Sequence, residues 1–385
     1  MVADVTPEAP LAPHAGVPPG VATLADYERL APRHMTPEAW QHVQAGSGEG
    51  LTLRENRAAF ARRGFLPRAM ADLRGGGTAL SLMGRTHAAP LLLAPIAYQR
   101  LAHPDGELAV ARAAAALDAG MVVSTLSSMP LEAIAQASRD ASRELGRPPA
   151  PLWFQLYLQP EREHSLALVR RAEAAGYEAI VLTVDAAIKL AGMALPPSVG
   201  AANLDGMPLR RQTAAPGGRI LFGTPLADNA PRWDDLAWLR RETRLPILVK
   251  GLLLGDDARR AVDEGAQGLI VSNHGGRVLD GLPSALDVIE DVARATAGAI
   301  PLLMDGGVRT GTDVVKALAL GAAATLIGRP QMHALAVAGM PGVAHALHLL
   351  RAEMEAAMAQ LGCRDIAAID RDRLTSFPDG PRPAP

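Results

Sequence analysis

A single cysteine in 385 residues, Cys363, rules out an intramolecular disulfide and fits a reducing compartment. No Cys/His cluster shows the spacing of metal ligands, so no metal, zinc included, is expected. No run of one charge dominates any stretch, and the formal net charge is −2. The sequence therefore lacks the electrostatic footprint of a nucleic-acid or anionic-membrane partner, and small molecules are the expected partners. Pro, Gly or charge interrupts every apolar run before the ~20 residues a bilayer requires. Met1 to Val21, rich in Pro and Ala, lacks the basic-then-apolar order of a secretory signal and reads as a disordered arm. A cytoplasmic protein is expected.

What is present is a core: 49% of the residues are hydrophobic and 20% charged. From residue 90 onward, short Val, Ile and Leu-rich runs alternate with Ala-rich stretches of helical period, the rhythm of parallel strands joined by crossover helices. Eight strands are predicted: Leu91–Ala97, Met121–Thr125, Leu152–Leu158, Ala179–Val184, Pro246–Gly251, Gly268–His274, Ile300–Gly307 and Ala323–Pro330. Helices are predicted near 107–119, 131–139, 161–175, 235–243, 256–264, 285–297, 311–320 and 341–360. Eight such units over roughly 270 residues predict an α/β fold, a closed (β/α)8 TIM barrel. A doubly wound sheet would want a Gly-rich turn after its first strand, where Pro95-Ile96-Ala97-Tyr98 stands instead. Leu24–Val43 predicts an N-terminal helical extension. A long loop runs from Ala186 to about Asp234 after strand four, on the face where barrel active sites form. The division is an arm over 1–21, one barrel domain over 22–375 and an unstructured tail over 376–385.

Two motifs close the last two strands: Asp305-Gly306-Gly307-Val308-Arg309 and Gly328-Arg329-Pro330. Many barrels bind phosphate between these two loops, where glycine lets backbone N–H groups approach and arginine supplies a charged fork. Either motif alone is as well explained by a turn with a solvated arginine; together they favour phosphate. The phosphate could belong to a substrate or to a flavin mononucleotide.

Strand six ends in Ser272-Asn273-His274-Gly275-Gly276-Arg277, the densest polar cluster in the chain. A histidine at the mouth of a barrel can accept a proton near neutral pH, and Arg277 can hold an anion bidentately. Asp185 ends strand four and Lys250 ends strand five, while Gln155 and Tyr157 project from strand three by alternation. Singly, each has a plain structural explanation: a helix cap, an ion pair, a core aromatic. Five polar residues at consecutive strand tips are costly to place there for stability alone.

The segment SNHGGRVLDG, Ser272 to Gly281, resembles the active-site signature of the FMN-dependent α-hydroxy acid oxidase and dehydrogenase family. The resemblance runs through Ala94–Glu107, Trp153–Leu158, Leu182–Asp185, Leu248–Gly251, Asp305–Asp313 and Ile327–Pro330. It implies oxidation of a 2-hydroxy acid to the 2-oxo product, with electrons passing to FMN and then to oxygen or another acceptor. It assigns His274 as the base, Asp185 as its partner, Arg277 as a carboxylate contact and Tyr157 as a hydrogen-bond partner of the substrate oxygen. Lys250 would face the flavin N1/O2 edge. Pro95, Ile96, Ala97, Ser127, Gln155, Thr183 and Ser272 would line the flavin ring or ribityl chain; Asp305, Gly307, Arg309, Gly328 and Arg329 would complete the cofactor site. A homotetramer is implied as well.

The departures fall on the substrate side. The family's N-terminal tyrosine is matched by His42, and the arginine expected after the fourth strand is missing from Ala186–Met193, where Lys189 is the one cation. Two charge-assisted contacts worth about 1.5–3 kcal/mol each are thereby absent. With Met129, Met193 and Leu195 near the pocket, a larger, less polar substrate than lactate is expected: an aryl hydroxy acid related to hydroxymandelate, or an amide or ester of one. Two other readings compete, a flavin-independent lyase or isomerase acting on a sugar phosphate, and a flavin-binding relative without activity.

Overall fold

The computed structural model describes residues 9–186, 195–207 and 221–377. Eight parallel strands close a barrel: β1 Leu91–Leu93, β2 Gly120–Ser124, β3 Leu152–Leu156, β4 Ala179–Thr183, β5 Ile247–Leu252, β6 Gly268–Val271, β7 Leu302–Met304 and β8 Ala324–Ile327. They pair in sequence order, and β8 returns to β1 through Thr325 opposite Leu91. The predicted strands are all present, and all but β5 end earlier than predicted, where the chain leaves the ladder to build the mouth.

Alternation sorts each strand into two sets. Leu91, Leu93, Met121, Val123, Phe154, Ile180 and Leu182 point out to the helices and join the main core. Leu92, Val122, Trp153, Val181, Leu248, Ile270, Leu303 and Leu326 point inward and fill the lumen with a second apolar cluster. A short hairpin, Leu80–Leu82 with Arg85–His87, closes the N-terminal end: Leu82 joins the lumen cluster, and the His87 ring lies 6.4 Å from Trp153. Its two-residue turn places Met83 and Gly84 at positive φ, as a tight hairpin requires. Nothing in the sequence reading anticipated this floor.

Three expectations are corrected. The arm is ordered from residue 9: Leu11 N–H donates to Arg33 O at 2.8 Å, His14 N–H donates to Val337 O at 2.8 Å, and Val21 is buried. Backbone hydrogen bonds hold it, and composition does not report those. At the other end, Leu374–Ser376 pairs antiparallel with Arg63–Phe65, so Ser376 belongs to a strand rather than the tail. The last helix runs over Arg329–Leu361 instead of starting near 341, with a break at Ala338 and Gly339. Pro341, which cannot donate into the preceding turn, stands just after that break. Long and apolar enough to cross a bilayer by composition, this helix has 67% of its most apolar window buried inside the fold, as a core helix does.

Candidate active site

Two residues beyond the lumen layer, the same alternation turns the next side chain of every strand into the barrel mouth. These are Ala94, Ser124, Gln155, Thr183, Lys250, Ser272, Asp305 and Gly328. The apolar set below becomes a mostly polar one here, and it floors a cavity of about 610 Å³, a usual size for a cofactor site.

The cavity is lined by Pro95, Ile96, Ala97, Gln155, Tyr157, Thr183, Lys250, His274, Arg277, Asp305, Gly307, Arg309, Gly328 and Arg329, with His42 at its rim. Asp185 and Ser272 stand directly behind this lining. Asp185 Oδ1 lies 2.8 Å from His274 Nδ1, and Ser272 Oγ accepts from both Lys250 Nζ at 2.6 Å and the His274 N–H at 3.0 Å. Asp185 fits because Gly251, at φ +108, lies in an irregularity of β5; a Cβ there would sit 2.5 Å from Asp185 Cγ.

Two assignments fail. Ser127 is buried but faces away from the cavity, donating to Met129 O at 2.7 Å and accepting from Asn203 Nδ2 at 2.8 Å. Ser124 has the inward parity instead. Its hydroxyl donates to Gln155 Oε1 at 3.2 Å, which leaves Gln155 Nε2 free of protein partners. Met129 packs against the core and does not line the cavity. Lys189 and Met193 lie outside the described residues. The described parts of the long loop do reach the mouth, with Leu195, Leu204 and Pro231 in the lining. Tyr98 also lines it, in the left-handed region at φ +57, and was missed because nothing around APIAY marks a strained backbone.

Electrostatics divide the site into two ends. At the catalytic end, burial pushes the Asp185 carboxyl up, but His274 and Lys250 prevail and hold it below its usual range. An ionised carboxylate only accepts, so His274 Nδ1 carries the proton and Nε2 presents its lone pair. Nε2 lies 3.4 Å from Tyr157 Oη. Burial, reinforced by Asp185, raises the phenol's pKa, so Tyr157 stays protonated and a donor. Burial pulls the Lys250 pKa down, but Asp305, 3.0 Å away, and Asp185 outweigh it and hold it above its ordinary value.

At the phosphate end, Arg329 donates to Val43 O, Gly275 O and Ala45 O, each at 3.0 Å. Burial first, then Arg277 and Arg309, depress it to about 9. The three guanidinium groups are crowded, with Glu28 Oε2, 3.8 Å from Arg309 Nε, as the carboxylate beside them among the described residues. Asp313 fastens their loop by capping the helix Gly311–Ala319 and accepting from the Arg309 N–H at 2.9 Å and Arg57 Nη1 at 2.8 Å. Arg277 Nη1 donates to Val43 O and Ala45 O at 3.1 Å, which ties the helix Pro37–Gln44, carrying His42, to the same cluster.

FMN fits this arrangement. Gln155 Nε2, Thr183 Oγ1 and Asp305 Oδ1 belong to lining residues and are buried without hydrogen-bond partners among the described residues, which a flavin ring edge and ribityl hydroxyls would satisfy. At Gly328 a Cβ would meet nothing within 4 Å, so the backbone is open to a ligand. A phosphate dianion would add two negative charges to a cluster of Arg277, Arg309 and Arg329 that Glu28 balances only in part.

Comparison with known proteins agrees. Residues 31–376 match the family model described as FMN-dependent dehydrogenase. An L-lactate oxidase of Alicycliphilus denitrificans is 52% identical, over 95% of this chain and 99% of the relative. A 4-hydroxymandelate oxidase of Amycolatopsis orientalis is 44% identical, over 91% and 97%. A crystal structure of mandelate oxidase with benzoyl-formic acid superposes with a TM-score of 0.81 at 41% identity, covering 92% of this chain and 98% of that one. A cavity that fits FMN at the mouth of an eight-stranded barrel, and a family match that spans the whole barrel, place this chain in the FMN-dependent dehydrogenase family.

Proposed function

We propose that the protein oxidises a 2-hydroxy acid to its 2-oxo product, with His274 as the base. The observation that carries this reading is the 2.8 Å contact between Asp185 and His274 Nδ1, which leaves Nε2 as a proton acceptor inside the cavity. His274 Nε2 takes a proton from the substrate during oxidation, and Asp185 stabilises the imidazolium that results. Tyr157 donates to the substrate oxygen. Arg277, with His42 across the rim, holds the carboxylate. When bound, FMN supplies the two-electron acceptor, held by Gln155, Thr183, Lys250 and Asp305 at the ring and ribityl chain, and by Gly307, Arg309, Gly328 and Arg329 at the phosphate.

The substrate side chain is larger and less polar than that of lactate. Leu126, Leu158, Leu195, Leu204 and Pro231 in the lining support this, as does the resemblance to relatives named for mandelate and hydroxymandelate. The relative named L-lactate oxidase supports a smaller substrate. Oxygen as the final acceptor is supported by the word oxidase in these names. The same reading makes the protein a cytoplasmic homotetramer, supported by its single buried thiol, Cys363, and by the family resemblance.

Anaerobic stopped-flow absorbance of the FMN-loaded protein against lactate, mandelate, hydroxymandelate and their amides tests this. Flavin bleaching fastest with the aryl acids, and lost with the amides, is the expected result. Bleaching by no hydroxy acid would overturn the activity, and preference for lactate would overturn the substrate assignment.

A further inference from the structure

His274 opens a single distorted 3-10 turn, His274–Gly276, with non-helical backbone inside it. His274, Gly275 and Gly276 lie consecutively at positive φ, +57, +62 and +74. The first of these is not a glycine, so its conformation has to be imposed by its surroundings. On the N-terminal side Ser272 Oγ accepts the His274 N–H. On the other, Asn273 Oδ1 accepts the Gly276 N–H at 3.2 Å, while Asn273 Nδ2 donates to Pro283 O at 2.8 Å. The Asn273 amide can do both only if its oxygen and nitrogen are kept the right way round.

We propose that Asn56, on the helix Leu51–Ala61 outside the barrel, is a positioning residue that sets the His274 imidazole against Asp185 by fixing Asn273. Asn56 Nδ2 donates to Asn273 Oδ1 at 3.0 Å, and Asn273 Nδ2 donates to Asn56 Oδ1 at 2.7 Å. Both residues are 1% exposed. In a reciprocal amide pair each side chain defines the orientation of the other, and water has no access to substitute for either.

The helix that carries Asn56 is itself seated on the two loops. A Cβ at Gly276 would lie 2.8 Å from Leu53 N, and one at Gly307 would lie 2.2 Å from Asn56 O, so both loops press against this helix. Arg57 donates to Gly307 O and to Asp313. Asn56 therefore acts on the catalytic loop from a support shared with the phosphate loop. The Asn56 side chain hydrogen-bonds Asn273 but only packs beside Gly306, where a Cβ would lie 3.5 Å from Nδ2, so its truncation should act mainly on the catalytic loop. The inference rests on His274 being the base.

The test compares Asn56→Ala, Asn56→Asp and His274→Ala in the FMN-loaded protein, reading kcat, KM, FMN Kd by fluorescence quenching, and Tm. Misplacing a catalytic group by about 1 Å costs about a hundredfold, so N56A should lose about that in kcat, with KM and FMN Kd changed by less than about threefold. N56D keeps an acceptor for Asn273 Nδ2 but sets a second acceptor against Asn273 Oδ1, and should lose kcat at least as far as N56A. If N56A does not fold, the same split in N56D decides. Unchanged kcat in either folded variant, or kcat, KM and FMN Kd worsening together with Tm, would overturn the positioning role. Normal turnover in H274A would instead remove the base on which it rests.

Discussion

His274 and Asp185 meet from strands that are not neighbours: the loop after β6 brings Nδ1 to within 2.8 Å of a carboxylate at the end of β4, across the end of β5. The strand between them yields at Gly251, where a side chain would occupy the place of Asp185. This contact decides which imidazole nitrogen faces the cavity.

Replacing His274 by alanine should lower kcat by about 10²–10⁴, the usual contribution of a positioned base. FMN Kd should stay within about threefold, since Lys250, Arg309 and Arg329 are untouched. Steady-state kinetics beside a flavin titration checks both; turnover within about tenfold of the parent protein refutes the assignment.

The pair also makes stability depend on pH. Asp185's carboxyl lies below its ordinary value of 3.8 in the folded protein, because His274 and Lys250 overcome the opposing effect of burial. A carboxyl depressed by folding contributes stability above its unfolded pKa and loses it as pH falls through the lower, folded value. The Tm difference between the parent protein and Asp185→Asn should be steady from pH 5 to 7 and shrink progressively below pH 4. A difference independent of pH down to 3 would show that Asp185 gains nothing from its charge.

Two glycines should respond oppositely to alanine. At Gly307, φ is +89 and a Cβ would lie 2.2 Å from Asn56 O, so Gly307→Ala should displace the helix behind the loop and lower Tm sharply. At Gly328 the same methyl meets no protein atom, so Gly328→Ala should keep its Tm without FMN and bind FMN at least about tenfold more weakly. Thermal melts with and without FMN separate the two; unaltered FMN affinity in G328A would remove Gly328 from the phosphate cradle.

Ser124, which the sequence reading did not name, should take the flavin-side role that it gave to Ser127. Ser127→Ala removes two buried hydrogen bonds, one to Met129 O and one from Asn203 Nδ2, about 1–3 kcal/mol of stability, and should leave FMN affinity intact. Ser124→Ala removes one of the two donors to Gln155 Oε1, leaving the Thr125 N–H at 3.3 Å, and should weaken FMN by up to about tenfold with a smaller loss of Tm. FMN Kd weakened more in S127A than in S124A would contradict the geometry.

That exchange shows what was legible in the sequence. The barrel and most of its mouth follow from period two: once Leu92, Trp153 or Leu248 is placed inward, Ala94, Gln155 or Lys250 must follow. Applied to Val122 the rule selects Ser124, but the resemblance pointed to Ser127, past the end of the strand, where alternation no longer applies. The hairpin floor, the ordered arm and Asn56 were illegible for a different reason. Each is defined by contacts between distant segments, and a lone Asn in Leu51–Ala61 has no local pattern that separates a buried clasp from a solvated side chain. Tyr98 belongs with them, since its strain is a property of the loop and not of the residue type.

The helix Leu51–Ala61 is made early and used late. Its contacts with Asn273 and Gly307 span 217 and 250 residues, so during synthesis it has no seat until the sixth and seventh strands have emerged. Contacts of such separation form slowly, after the local units they join. The barrel wall can close before its reaction centre is assembled, and a chain stalled at that point would hold native secondary structure, a nearly complete core and no aligned histidine. Refolding should therefore recover circular dichroism ahead of activity.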